Sequence, residues 1–137
     1  MDDRTPVLVG VGTARGDAEA VDLMVVAARR AADDAATPGL LPAVERIAVP
    51  RGTWGYTDPA RLVGDAVGAP AAHRVLVNVG IPQQTLINDA LRDIMAGRQE
   101  VVLIVGAEAR ARAARAAQAT PTGVTPDASE IDQHGAQ

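Results

Sequence analysis

Apolar residues along this 137-residue chain arrive in two rhythms. Four short runs, "PVLVGVG" (6–12), "VERIAVP" (44–50), "RVLVNVG" (74–80) and "VVLIVGAEA" (101–109), are largely apolar and do not alternate with polar positions. That is the pattern of strands covered on both faces, as in a parallel sheet. Between them, apolar side chains recur three and four apart. Val21, Met24, Val25, Ala28, Ala31, Ala32 and Ala35 form one helical stripe within 16–39, with Asp17 as the expected cap and Thr37-Pro38-Gly39 as the stop. Leu86, Ile87, Ala90, Leu91, Ile94 and Met95 form another within 82–97, from Pro82 in the first turn to Gly97 at the end. In 51–70 a loop leads to a helix that Asp58-Pro59 should open and Gly68 and Pro70 should close. The segment 110–119 continues as a helix. The order is β-α-β-α-β-α-β, which predicts an α/β fold with a mostly parallel sheet of about four strands and right-handed crossovers. Residues 1–119 would form this domain, and 120–137 reads as a flexible polar tail.

Composition narrows the chemistry. The core must be aliphatic, because the chain has no Phe, one Trp and one Tyr. An alanine-rich core buries little area per helix, so a partner surface, either a second copy or another subunit, is expected to complete it. With no Cys, disulfides, thiolate-bound zinc and thiol catalysis are excluded. All 13 basic residues are Arg, so lysine Schiff-base and P-loop lysine chemistry are excluded too. His73 and His134 lie far apart with no acidic residue at ligand spacing, and no metal site is expected. A net charge of −4 with scattered cations argues against nucleic acid as partner. No apolar run approaches the ~18 residues that span a bilayer, and "MDDRTP" is no signal peptide. The expectation is a soluble, cytoplasmic protein with no membrane contact.

Four constellations carry candidate chemistry. Gly10-x-Gly12-x-x-x-Gly16 follows the first expected strand, as a dinucleotide fingerprint would, but is one residue longer than the standard spacing. Pro50 and Arg51 stand where an acidic ribose ligand would end the second strand, and Arg51 could face a 2′-phosphate. The same glycines also suit a simple turn. The elbow "NVGIPQQT" (78–85) offers free helix N–H groups to an anion or a thioester carbonyl, or is an ordinary βα turn. Pro82 has no N–H, so the donors are Gln83, Gln84 and Thr85 beside Gly80. Trp54 and Tyr56 share one loop and either roof the core or meet a partner. Glu108 follows the last strand as a lone carboxylate, the kind of group that accepts backbone N–H bonds at the start of the next helix.

Residues 6 to about 109 resemble the opening portion of the thiolase superfamily, the acyl-CoA acetyltransferases, and most closely the group related to sterol-carrier-protein thiolases. The resemblance is carried by "PVLVGVG", by "WGYTDPARLVGDAVG", by "VLVNVGIPQQTLINDALRDIMAGRQEVVLIVGAEA", and above all by Gly97 spaced before "VGAEA". It places the family's nucleophilic cysteine on Gly80, and some thiolase-like relatives that lack the cysteine carry a Pro-Gln pair, as Pro82-Gln83 do here. The family's histidine and second cysteine belong to a later half that this chain does not contain. The resemblance therefore implies a degenerate or partial acetyl-CoA acetyltransferase domain of acyl-CoA metabolism, inactive alone. It would bind an acyl group or anion at Gly80, Gln83, Gln84 and Thr85, with a CoA thioester as ligand and no other cofactor. Family dimers pair the strand entering the elbow with its symmetry mate, which implies a homodimer using Val75 and Val77, with Trp54 and Tyr56 as further interface residues. The alternatives are a scaffold or acyl-CoA-binding subunit, a truncated product of a longer thiolase-like protein, and a small nucleotide-binding domain.

Overall fold

The computed structural model describes residues 3–119 and 132–134. Helix α1 (Ala20–Ala35) leads through a 3-10 turn at Leu41–Ala43 into strand β1 (Arg46–Pro50). Then follow α2 (Pro59–Val67), β2 (His73–Val77), α3 (Gln83–Met95), β3 (Val102–Ile104), α4 (Arg110–Ala119) and the short β4 (Asp132–His134). The sheet order is β3-β1-β2-β4, and every pairing is parallel. All strands therefore finish at one edge of the molecule, and that edge carries the elbow.

The strands divide their side chains between two helix layers. Ile47, Val49 and Leu76 join Met24, Val25, Ala28, Ala60, Val63 and Val67 in the main core, beneath α1 and α2. Ala48, Val75 and Val77 turn to the other face, where Leu86 of α3 meets them. Full burial of Met24, Ile47, Leu76 and Leu86 contributes about 1.5–3 kcal/mol each. The α3 layer is thin. Of its expected stripe only Leu86 and Ala90 are buried, and Ile87, Leu91 and Met95 stay exposed, Met95 at 60%.

Local signals held where caps set them. Asp58 is the N-cap of α2 and accepts from the Arg61 N–H at 3.2 Å, Pro59 follows at the first helical position, and Gly68 closes the helix at φ 84°. Asp58 is fully buried and also takes the Arg74 guanidinium at 2.5 Å, which ties the start of α2 to β2. Gly97, at φ 75°, follows the end of α3. Arg46, buried on β1, pairs with Asp93 of α3, and Arg98 holds the other Asp93 oxygen at 2.6 Å. Burial would raise the Asp93 carboxyl, but the hydrogen bonds from Arg98 and Arg46 prevail and hold it below the usual carboxylate range.

The first expected strand does not form. Residues 6–12 run as irregular chain, with Leu8 83% exposed and Val7, Val9 and Val11 also open. Gly10 and Gly12 lie so close to the Ala31 and Ala27 carbonyls of α1 that a Cβ at either would clash with them. The Val11 N–H donates to Asp34 at 2.8 Å, and Arg30 donates to the Thr13 carbonyl at 2.7 Å. An apolar run becomes a buried strand only where sheet neighbours receive it, and here α1 takes its backbone groups instead. Three further expectations are corrected. Glu19, not Asp17, precedes α1 and makes no side-chain cap bond; the α1 stripe buries Ala20 and Leu23 in place of Ala31, Ala32 and Ala35; and the last strand shrinks to three residues. The expected flexible tail lies outside the described residues, apart from Asp132–His134.

Candidate functional site

At the C-terminal edge of the sheet, β1, β2 and β3 release three loops beside the start of α3. The parallel register brings Pro50 level with Val77, and Ala48 level with Ile104. Between them opens a cleft of about 420 Å³, lined by Pro50, Arg51, Gly52, Gln83, Ile87 and the segment 104–108. Strand ends of a parallel sheet are where such folds place ligands, and the volume falls within the ordinary range for small-molecule sites.

The elbow is built as its sequence suggests. Gly80 has φ 94°, a left-handed conformation that glycine adopts without strain, and apart from its chain neighbours no described residue lies within 4 Å of where its Cβ would stand. Pro82 caps α3 in an extended conformation, which leaves the Gln83 and Gln84 N–H groups without a partner among the described residues. The Thr85 N–H is already taken by the Pro82 carbonyl at 2.9 Å, so Thr85 has only its hydroxyl to offer. Gln83 lines the cleft; Gly80, Gln84 and Thr85 are not part of its wall.

The opposite wall is held by loop 51–57. The Arg51 N–H donates to the Val77 carbonyl at 2.9 Å. Trp54 Nε1 donates to the Ala107 carbonyl at 2.9 Å, and Thr53 donates to Glu108 through its N–H at 2.9 Å and its hydroxyl at 2.6 Å. Gly52 has no alternative here, since a Cβ would stand 2.6 Å from Glu108 Oε1 and still closer to the Trp54 ring nitrogen. Glu108 thus accepts a backbone N–H from the loop after β1, on the same wall, not from the helix that follows it. Trp54 and Tyr56 stack 5.3 Å apart at 37° and pack, partly buried, against the main core. Tyr56 donates its hydroxyl to Glu19 at 2.9 Å, and Arg112 of α4 reaches the same carboxylate at 3.3 Å. These two hydrogen bonds lower the Glu19 carboxyl, while burial and the same carboxylate raise the Tyr56 hydroxyl.

The remaining predicted residues fall elsewhere. Val75 and Val77 are buried under α3, and β4 pairs in parallel along the outer edge of β2. Any contact that β2 makes with a partner must use its backbone edge, not these side chains. His73 opens β2 at the end of the strand away from the elbow. The register of β4 places the backbone of His134 opposite Val77, a proximity that residues 57 positions apart in sequence give no sign of. Gly10 and Gly12 face the flank of α1, and no strand forms ahead of the 10–16 glycines, so the phosphate-loop context that a dinucleotide site requires is absent. Among the described residues no cluster of His, Cys, Asp and Glu could hold a metal ion, and no helix is long and apolar enough to cross a membrane.

Among the described residues, the edge of this α/β sheet presents a cleft lined by a cation, a carboxylate and the free Gln83 amide, with no Ser, Thr, Cys, Lys or His on its walls. Among solved structures, the chain is similar to a monomeric SCP2-thiolase like protein type 1 from Mycobacterium smegmatis, with 34% identity over 75% of this chain and a TM-score of 0.61. The chain is thiolase-like and related to the SCP2-thiolases. It spans 23% of that neighbour's length. No protein-family model and no curated protein matches it.

Proposed function

We propose that this chain is the opening part of a degenerate thiolase-like acyltransferase, which receives an acyl-CoA thioester at the β2–α3 elbow without carrying out thiolysis or condensation by itself. The observation that carries this reading is Gly80. It stands where the resemblance puts the nucleophile, in a conformation suited to glycine, with no described residue crowding the place of its missing Cβ. The Gln83 and Gln84 amides would face the thioester carbonyl. The helix dipole adds only ~0.3–1 kcal/mol for a negative group, so apolar contact with the acyl or pantetheine arm must supply most of the affinity. Two assays test this: thiolysis of acetoacetyl-CoA with free CoA should stay at the buffer rate, and acetyl-CoA should move the amide resonances of the elbow.

A second reading concerns assembly. Ile87, Leu91 and Met95 leave an apolar stripe on α3, and the chain spans only 23% of a related protein. Both favour a role as one part of a larger thiolase-like whole, completed by another copy or by a partner subunit. A homodimer through β2 would have to displace β4 from the strand edge. Sedimentation over a micromolar concentration series tests association; a monomer throughout would contradict it.

A further inference from the structure

Four arginines of the described chain are buried or partly buried, and three of them are held. Arg46 has Asp93, Arg74 has Asp58, and Arg61 also has a partner. Arg51 is the exception. It is partly buried, its backbone is fixed to β2, and its guanidinium makes no ion pair or hydrogen bond with any described residue. The nearest carboxylate on the same wall is Glu108, and both its oxygens are engaged by Thr53. None of the Arg51 guanidinium nitrogens is sealed off from water, so the group lies on the cleft wall open to an incoming anion, and its planar fork suits a carboxylate or phosphate.

We infer that Arg51 is the anion anchor of the cleft, and that the natural ligand carries an oxyanion which the guanidinium grips while the rest of the ligand lies against Gln83 and Ile87. The inference rests on the proposed thioester reading for the identity of that ligand. About 420 Å³ suits a thioester with a short acyl arm. The favoured source of the oxyanion is therefore a carboxylate at the far end of the acyl chain, as in a succinyl thioester. A phosphate of the CoA carrier is the other source of the same chemistry.

The test titrates the full chain with S-succinylpantetheine, S-acetylpantetheine and acetyl-CoA, and repeats the series with Arg51→Gln and Arg51→Lys. Arg51 has no partner among the described residues to lose, so both variants should melt like the parent. Wild type should bind S-succinylpantetheine about tenfold tighter than S-acetylpantetheine. Arg51→Gln should abolish that preference, and Arg51→Lys should retain part of it, because lysine keeps the charge without the fork. A preference for acetyl-CoA over S-acetylpantetheine that Arg51→Gln removes would place the anion on the carrier and still support Arg51 as its anchor. If Arg51→Gln leaves every affinity unchanged while S-acetylpantetheine still shifts Gly80 and Gln84, the anchor is wrong and the elbow reading stands. If succinate alone binds in an Arg51-dependent way while no thioester moves the elbow, the anchor stands and the elbow reading fails.

Discussion

Trp54 Nε1 reaches across the sheet edge to the Ala107 carbonyl, 2.9 Å away, and so joins the loop after β1 to the chain after β3. The two segments are 53 residues apart in sequence. Between them they form one wall of the cleft, and the ring also covers the end of the main core.

Replacing Trp54 with Ala removes that bond and the ring's packing together. We expect a loss of about 3 kcal/mol in unfolding free energy, read from denaturant melts. Unchanged stability with weakened self-association would instead make the ring an interface residue.

The Arg46–Asp93 pair fastens β1 to α3 from a buried position. Asp93→Ala leaves the Arg46 charge without its main partner, and a cost of about 3–5 kcal/mol is expected. Thermal melts of the variant beside Arg98→Ala, whose guanidinium is exposed, should show the first far more damaged than the second.

Stability should fall at both ends of the pH scale. Asp93 and Glu19 are lowered in the fold, so their contribution is full above the unfolded carboxylate value and fades as pH drops through the lower folded one. Tyr56 is raised, so its contribution is full below the ordinary tyrosine value and fades as pH climbs through the higher folded one. Denaturant midpoints from pH 2 to 11 should form a plateau between about 4 and 10. In Tyr56→Phe the alkaline decline should soften.

Much of this was legible because its signals are local. Asp58 and Pro59 open α2 and Gly68 closes it, each acting on the turn beside it, and Gly97 follows the end of α3 in the same way. The failures concern distance. Residues 6–12 have the composition of a buried strand, but only the tertiary surroundings decide whether a sheet receives them. Tyr56 with Glu19, and Arg46 with Asp93, are pairings that spacing cannot reveal. The sequence places a cation at Arg51 but cannot say that no carboxylate of the described residues comes to meet it. Val75 and Val77 read equally well as an exposed edge or as the underside of α3, and burial decides for the latter.

That burial changes how an interface must be tested. Val77→Lys puts a charge into the thin layer under Leu86 and should cost about 4 kcal/mol or more, whatever β2 meets outside. Met95→Lys, on the open stripe of α3, should leave stability within about 0.5 kcal/mol of the parent. If α3 is a contact face, sedimentation of Met95→Lys should show weakened association.

On the proposed reading, the elbow keeps a place for a thioester after losing the means to attack it. Titration of acetyl-CoA into labelled protein, followed by backbone amide shifts, addresses it directly. Shifts should centre on Gly80, Gln83 and Gln84, saturating in the high-micromolar range or weaker, at roughly −5 kcal/mol, with the thioester recovered intact. An elbow silent at millimolar ligand would contradict it, and so would release of free CoA above the rate in buffer.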